Sequence, residues 1–416
     1  MEVVQIAQIS GLFREAGLVV QSCCRQYFSG ISISLVIGAI GKAPKVPRGP
    51  ALRAESTRSR EERIMSEKAD RSLEVGIIGA GWWAAQTYIP LLRGYPEVGE
   101  IAVCRPDPEG LQILAEKLGT NLGFRDAAEM LDTRRLDGVI ISSPHVLHAE
   151  HALMCIDRGL PVMIEKPMAT SAEDARRILT AAERQGTDVM TAYGWNFRPL
   201  AAAAHKLMQD GRIGRLQHAV CLTASGTVEL FSGELPPRTA GHLFRPPAST
   251  WADPARAGGY AWGQLTHALG LFFLVVDDDP TGVFARMRNS DAGVDLCDAA
   301  VVELAGGATV SVSGTGVIPR ERKKQVDIRL YGDEGVLLLD LERERLEVTR
   351  FDGWTHVEQP APDAGEYGVT ELVARFVDLC AGREVINLAD AKVGARAVIA
   401  IDAMHRSARS GQFEPA

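Results

Sequence analysis

The chain contains no run of 18 uninterrupted apolar residues, so an ordinary transmembrane helix is not expected. It contains no Cys-x-x-Cys pair. Its seven cysteines (Cys23, Cys24, Cys104, Cys155, Cys221, Cys297 and Cys380) are odd in number and scattered. That spacing argues against a disulfide framework and a zinc ribbon, and it points to a reducing, cytoplasmic compartment. An excess of positive charge is also lacking: the net charge is −8, which argues against a general nucleic-acid partner. What is present is ordinary globular composition, 46% hydrophobic and 24% charged over 416 residues, with 41 Gly and 21 Pro. That length suggests two or three domains. A body of about 300 residues buries roughly 75% of the surface of its unfolded chain, so no covalent or metal staple is needed.

The charge is unevenly distributed. Residues 1–66 carry a net +4 and the remainder a net −12. Ile31–Ile40 is apolar but only about one signal-peptide core long, and only Arg25 lies near it on the basic side. The Pro- and Arg-rich stretch GKAPKVPRGPALRAESTRSREER reads as a linker or disordered arm. Met65, followed by SEKADRS and then a strand, reads as a natural start. Residues 1–66 are therefore expected to be an extension outside the fold.

From Leu73 the pattern becomes regular. LEVGIIGAG, EIAVC, LDGVIISSP, PVMIEKP and TDVMTAYG read as short apolar strands. Helical spacing alternates with them in AAQTYIPLLRGY, PEGLQILAEKLG, DAAEMLDT, AEHALMCIDRG and SAEDARRILTAAERQG. Pro90 is expected to kink or shorten the first helix, Gly119 to end the second, and Ser171 to open the last. The alternation predicts a doubly wound parallel sheet over residues 67–195. Beyond residue 215 the grammar changes to strands with short Gly turns: GRLQHAVCLTAS, TGVFARMRN, AAVVELAG, ATVSVSGTG, KQVDIRLYG and GVLLLDL. Helices are expected at QLTHALGLFFLV, VTELVARFVDLCAG and LADAKVGARAVIAIDAMHRSARSG. Residues 196–416 thus read as an α+β domain with a large, mostly antiparallel open sheet.

Gly79-Ala80-Gly81-Trp82-Trp83-Ala84 fits the dinucleotide fingerprint G-x-G-x-x-A, between a strand and a helix as that motif requires. Gly79 serves the tight turn, Gly81 lets a pyrophosphate approach the backbone, and Ala84 allows close helix–strand packing, with Trp82 and Trp83 beside the cofactor. The second strand ends at Arg105 where a ribose-binding acid is usual. An arginine there can pair with a ribose phosphate or stack on the adenine, which favours NADP over NAD; Asp107 is the competing ribose contact. Glu165, Lys166 and Pro167 close a later strand at the carboxyl edge, where such sheets bind ligands. Pro167 is a candidate cis residue. His145, His148 and His151 crowd seven residues, but neither a carboxylate nor a cysteine completes a metal set.

The ordered motifs GAGWWA, SSPHVLH, EKP, GWNFRP, GRIGRL and AGGYAWGQLTHAL make the body, from about Leu73 to Gly411, resemble the glucose–fructose oxidoreductase / inositol dehydrogenase (Gfo/Idh/MocA) family. The resemblance implies hydride transfer between NAD or NADP and a carbinol or ketone of a sugar, cyclitol or related polyol. A dihydrodiol or natural-product keto-sugar is the alternative substrate, and a cofactor-binding regulatory protein without turnover is the alternative of another class. By the same resemblance Lys166 and His267 move the proton. Ser143, Pro144, His148 and Glu165 lie on the cofactor side, and Asn196, Arg198, Tyr260 and Gln264 join His267 at the substrate. The family often carries Asp four residues before this histidine; here that residue is Gly263. The open face of the second sheet is implied to form a homodimer or homotetramer interface. Specificity is expected from the loop TVELFSGELPPRTAGHLFRPPASTW.

Overall fold

The computed structural model describes residues 71–416. The extension expected over residues 1–66 and the start at Met65 lie outside the described residues. Six parallel strands form the first sheet: β1 (Leu73–Ile78), β2 (Val98–Cys104), β3 (Leu122–Phe124), β4 (Gly138–Ile141), β5 (Val162–Ile164) and β6 (Val189–Thr191). Their order is β3-β2-β1-β4-β5-β6, which is doubly wound. The order reverses between β1 and β4, and that switch point opens a crevice at the carboxyl ends of the strands. The three-residue β3 is too short to carry a periodic signal and escapes a reading by pattern.

Alternation along β1 explains the packing. Val75 and Ile77 face a core with Val103, Ile140, Tyr88 and Leu92, while Ile78 faces the opposite core with Ile141 and Ile164. The first of these cores is completed from the far end of the chain. Leu372, Val373, Phe376 and Val377 of helix Val369–Cys380 pack into it at no more than 1% exposure. Burying each such side chain stabilises by roughly 1.5–3 kcal/mol. The contact is close: a methyl group on Gly138 would lie 2.4 Å from Cys380 Sγ.

Helix signals behave locally. Ser171 accepts from the Asp174 amide at 3.1 Å and opens Ala172–Gln185, while Gly186 (φ +62°) closes it. Asp107 and Gly119 frame Pro108–Leu118 in the same way. Pro90 neither ends nor sharply shortens its helix. Instead the run is π-helical over Ala84–Tyr88 and α-helical from Ile89, with Pro90 in the first turn of the α segment where no amide donor is required.

The second sheet has nine strands: β7 (Leu216–Ala224), β8 (Pro280–Asn289), β9 (Asp295–Leu304), β10 (Thr309–Thr315), β11 (Gln325–Gly332), β12 (Gly335–Asp340), β13 (Arg345–Arg350), β14 (Thr355–Val357) and β15 (Glu414–Pro415). Their order is β14-β13-β12-β11-β7-β10-β9-β8-β15, with β7 and β10 the parallel pair and the other pairings antiparallel. One face packs on helices Thr266–Val275 and Ala391–Ser410. The other is open, with Phe284 and Val301 exposed on it. No described helix is long and apolar enough to cross a membrane.

Candidate active site

The glycine turn is built for close approach. Gly79 has φ +86°, and a Cβ there would sit 2.3 Å from the Ser143 backbone nitrogen, so a side chain is excluded twice over. At Gly81 a Cβ would meet nothing nearer than Gly79 O at 3.8 Å, so this position opens onto free space. Gly79, Gly81, Trp82 and Trp83 line a cleft of about 790 Å³ that continues to Lys166, Gln264 and His267. Ala84 does not line it; it is fully buried beneath the turn. Trp82 is held in place by donating from Nε1 to His242 Nδ1 at 2.8 Å.

Arg105 also lines the cleft. It donates to Ala80 O at 3.1 Å, pairs with Asp107 at 2.9 Å, and lies 4.3 Å from the Phe244 ring centroid. Asp107 is engaged as the cap of the next helix, accepting from the Glu109 and Gly110 amides. Arg125 borders the same cleft.

On the neighbouring loop, Ser143 and Pro144 line the cleft, and Ser143 Oγ contacts His151 Nδ1 at 2.9 Å. His148 contacts the carbonyls of Ser143 (2.8 Å) and Pro167 (2.7 Å), one from each ring nitrogen. It braces the β4 loop against the loop holding the cis Lys166–Pro167 peptide. Burial pushes its pKa down to about 4, although both carbonyls favour the charged ring. His145, bonded to Ala257 O, is pushed to about 3, chiefly by burial.

Glu165 accepts from the Tyr88 hydroxyl and from the Lys166 amide. Burial raises its pKa, opposed by Lys166. Lys166 Nζ donates to Gly263 O at 2.8 Å and lies 5.0 Å from the Trp251 ring centroid. Desolvation lowers its pKa, with Glu165 opposing. The missing carboxylate at position 263 thus has a physical counterpart: the backbone carbonyl there takes the ammonium. No side chain fits, because a Cβ on Gly263 would meet Phe231 at 2.8 Å and Trp251 at 3.2 Å. His267 sits among Tyr193, Trp195 and Tyr367, and its buried Nδ1 makes no hydrogen bond. Burial, then Lys166 and Lys324, holds its pKa well below the ordinary imidazole range.

The chain matches two family models over most of this body: "Oxidoreductase family, NAD-binding Rossmann fold" over residues 73–193 and "GFO/IDH/MocA C-terminal domain" over residues 201–338. It belongs to the Gfo/Idh/MocA oxidoreductase family. Among curated members, D-xylose 1-dehydrogenase (NADP(+)) 2 of Haloferax volcanii is 27% identical over 252 residues, covering 60% of this chain and 72% of that one. Two solved structures share the fold across 83% of this chain and 99% of theirs, at TM-scores of 0.66 and 0.65 and identities of 21% and 20%. They are an oxidoreductase domain protein from Kribbella flavida and levoglucosan dehydrogenase in complex with NADH. Gfo/Idh/MocA members carry a nicotinamide dinucleotide, and the residues here fit one: the free space at Gly81 and the helix start behind it suit a pyrophosphate.

Three residues expected at the substrate lie elsewhere. Asn196 is fully buried, its amide nitrogen donating to Gly270 O (3.1 Å) and Leu388 O (2.8 Å). Arg198 turns to Glu371 and the Asp363 carbonyl, joining two chain segments. Tyr260 is fully buried, its hydroxyl near Ser225 at 3.2 Å, and Trp262 stacks on His405. Each stands in or beside a cleft motif in sequence, yet Asn196 and Tyr260 point into the core and Arg198 into an ion pair near the surface. The cleft instead gains Lys324, Arg238, Trp251 and Tyr367. Arg238 and Trp251 come from the loop expected to set specificity. Lys324 and Tyr367 carry no sequence signal, because tertiary folding alone brings their segments to Lys166.

Proposed function

We propose that the protein is an NAD(P)-dependent oxidoreductase acting on a CH–OH group, or the corresponding ketone, of a sugar, cyclitol or related polyol. Residues 67–195 hold the dinucleotide, and residues 196–416 supply the substrate side and the assembly face. The observation that carries the reading is the convergence of the Lys166 ammonium, His267 and Gln264 in one cleft with the Gly79–Gly81 turn. The nicotinamide supplies or accepts the hydride. The Lys166 ammonium, released from Gly263 O, donates a hydrogen bond to the reacting oxygen and stabilises alkoxide charge there. Its depressed pKa eases passage of the proton. His267 is neutral at pH 7, with a free ring nitrogen to hold or accept the carbinol proton. Gln264 orients a second hydroxyl but carries no base.

Arg105 and Arg125 at the end of β2 and β3 favour a ribose phosphate, and so NADP over NAD. A second copy of the chain on the open face of the second sheet would cover Phe284 and Val301, as a homodimer or homotetramer. The test is a polyol and keto-sugar panel followed by absorbance of the reduced cofactor, with NAD and NADP in parallel. Turnover with either dinucleotide supports the reading; binding of dinucleotide without turnover of any CH–OH substrate overturns it.

A further inference from the structure

The substrate end of the cleft carries cations that form no ion pair. Lys324 and Arg238 both line it, and among the described residues neither makes a hydrogen bond or an ion pair. The ammonium of Lys324 lies 5.7 Å from the Trp195 ring centroid. Both Lys324 and Arg238 are exposed at the cleft, Lys324 with protein atoms crowded around its ammonium. Desolvation, then Lys166 and Arg238, push its pKa down to about 8; Glu366 opposes this but is itself paired with Lys323 at 3.4 Å. The same Lys324 and Lys166 act together on His267. Three cations and an imidazole thus share one pocket.

Glu229 feels Arg238 but is paired with Arg320, and the carboxylates that line the cleft are engaged elsewhere. Asp107 and Asp126 cap helices beside β2 and β3. Glu165 is held by Tyr88 and the Lys166 amide, and Glu150 lies on helix His148–Ile156. The dinucleotide's own phosphates do not answer the cations either, because the pyrophosphate cradle is at Gly81, whereas Lys324 lies with Trp195 and His267. Like charges gathered at one end of a cleft repel, and the arrangement becomes favourable once an anion joins them.

We propose that the substrate is an anionic polyol, a sugar or cyclitol bearing a carboxylate or phosphate that Lys324 and Arg238 bind while Lys166 and His267 face its reacting carbinol. This rests on the oxidoreductase reading above and narrows its substrate class. Anion binding also neutralises the field of Lys166 and Lys324 at His267, so a charged substrate raises the imidazole's proton affinity as it docks.

Calorimetric titration of the full-length protein saturated with NADPH tests this with paired ligands: glucose against glucuronate and glucose 6-phosphate, and myo-inositol against inositol 1-phosphate. A charged member is expected to bind about tenfold or more tightly than its neutral parent, as loss of one charge-assisted contact would imply. Glucuronate alone showing the gain assigns a carboxylate; the phosphates alone assign a phosphate. K324Q should shrink the charged-to-neutral ratio about tenfold, while K323Q, outside the cleft, should leave it. Charged-ligand affinity should fall as pH rises through about 8, where Lys324 loses its proton, and neutral-ligand affinity should not. Equal affinity for charged and neutral members, no binding of any charged member, or an unchanged ratio in K324Q overturns the proposal. If NADPH does not bind, the titration is run with NADH; failure of both dinucleotides to bind is a separate result, and it removes the oxidoreductase reading on which the proposal stands.

Discussion

The two ends of the cleft are built differently. The nucleotide end comes from contiguous motifs: the glycine turn follows β1 directly, Arg105 follows β2, and Ser143 follows β4. The substrate end draws Lys166, Gly263 with His267, Lys324 and Tyr367 from four separate segments. Backbone geometry sets the first end, where a methyl group at Gly79 finds no room. Side-chain convergence sets the second, where a lysine rests on a carbonyl and a histidine has a free nitrogen. Variation at the first should change which dinucleotide binds and how tightly. Variation at the second should change the chemistry.

The sharpest way to break that contrast is K166M. Loss of a general acid–base group costs on the order of 100- to 10,000-fold, so kcat should fall by that much while the dinucleotide dissociation constant moves less than about threefold. Steady-state kinetics and fluorescence titration read the two quantities; unchanged turnover would remove Lys166 from the mechanism.

Next in size is an acid effect at the His148 brace between the β4 loop and the Lys166–Pro167 loop. His148 is neutral in the folded chain down to about pH 4, but in the unfolded chain it takes up a proton below about 6.5. Lowering the pH through this window therefore favours unfolding, by about 3 kcal/mol at pH 4. Urea midpoints at pH 7, 5.5 and 4 measure the loss, and H148Q should remove the share due to His148, leaving that of the buried His145.

G263A is expected to cost about 1–3 kcal/mol in stability, since its methyl group meets Phe231 and Trp251. It should also lower kcat by displacing the carbonyl that holds Lys166, and thermal denaturation with kinetics measures both. The smallest effect is at the nucleotide end. R105S should lower the NADP-to-NAD ratio of kcat/KM about tenfold, the size of one lost charge-assisted contact. An unchanged ratio would show that Arg105 is spent on Asp107, Ala80 and Phe244 alone.

The same division explains how far the sequence could be read. β1, β4 and β5 announce themselves because strands covered on both faces are nearly all apolar, and Ser171 and Gly186 mark helix ends through backbone chemistry that acts within a few residues. The glycine turn is legible for the same reason. Tyr260 and Asn196 show where local reading stops. Both stand beside cleft motifs, but whether a side chain turns to the cavity or to the core depends on partners such as Ser225 and Leu388 that are distant in sequence. That residue 263 is glycine is plain from the sequence. That Phe231 and Trp251 occupy the vacated volume, and that its carbonyl takes over the ammonium, depends on how loop 227–251 folds back.

Helix Val369–Cys380 bears on how such a chain can be recombined. A chimera that grafts residues 71–195 onto a foreign C-terminal half would bare the side of the sheet now covered by Leu372, Val373, Phe376 and Val377. Exchange of nucleotide specificity by swapping halves must therefore transplant this late helix together with the early strands, or refill its imprint with new apolar side chains.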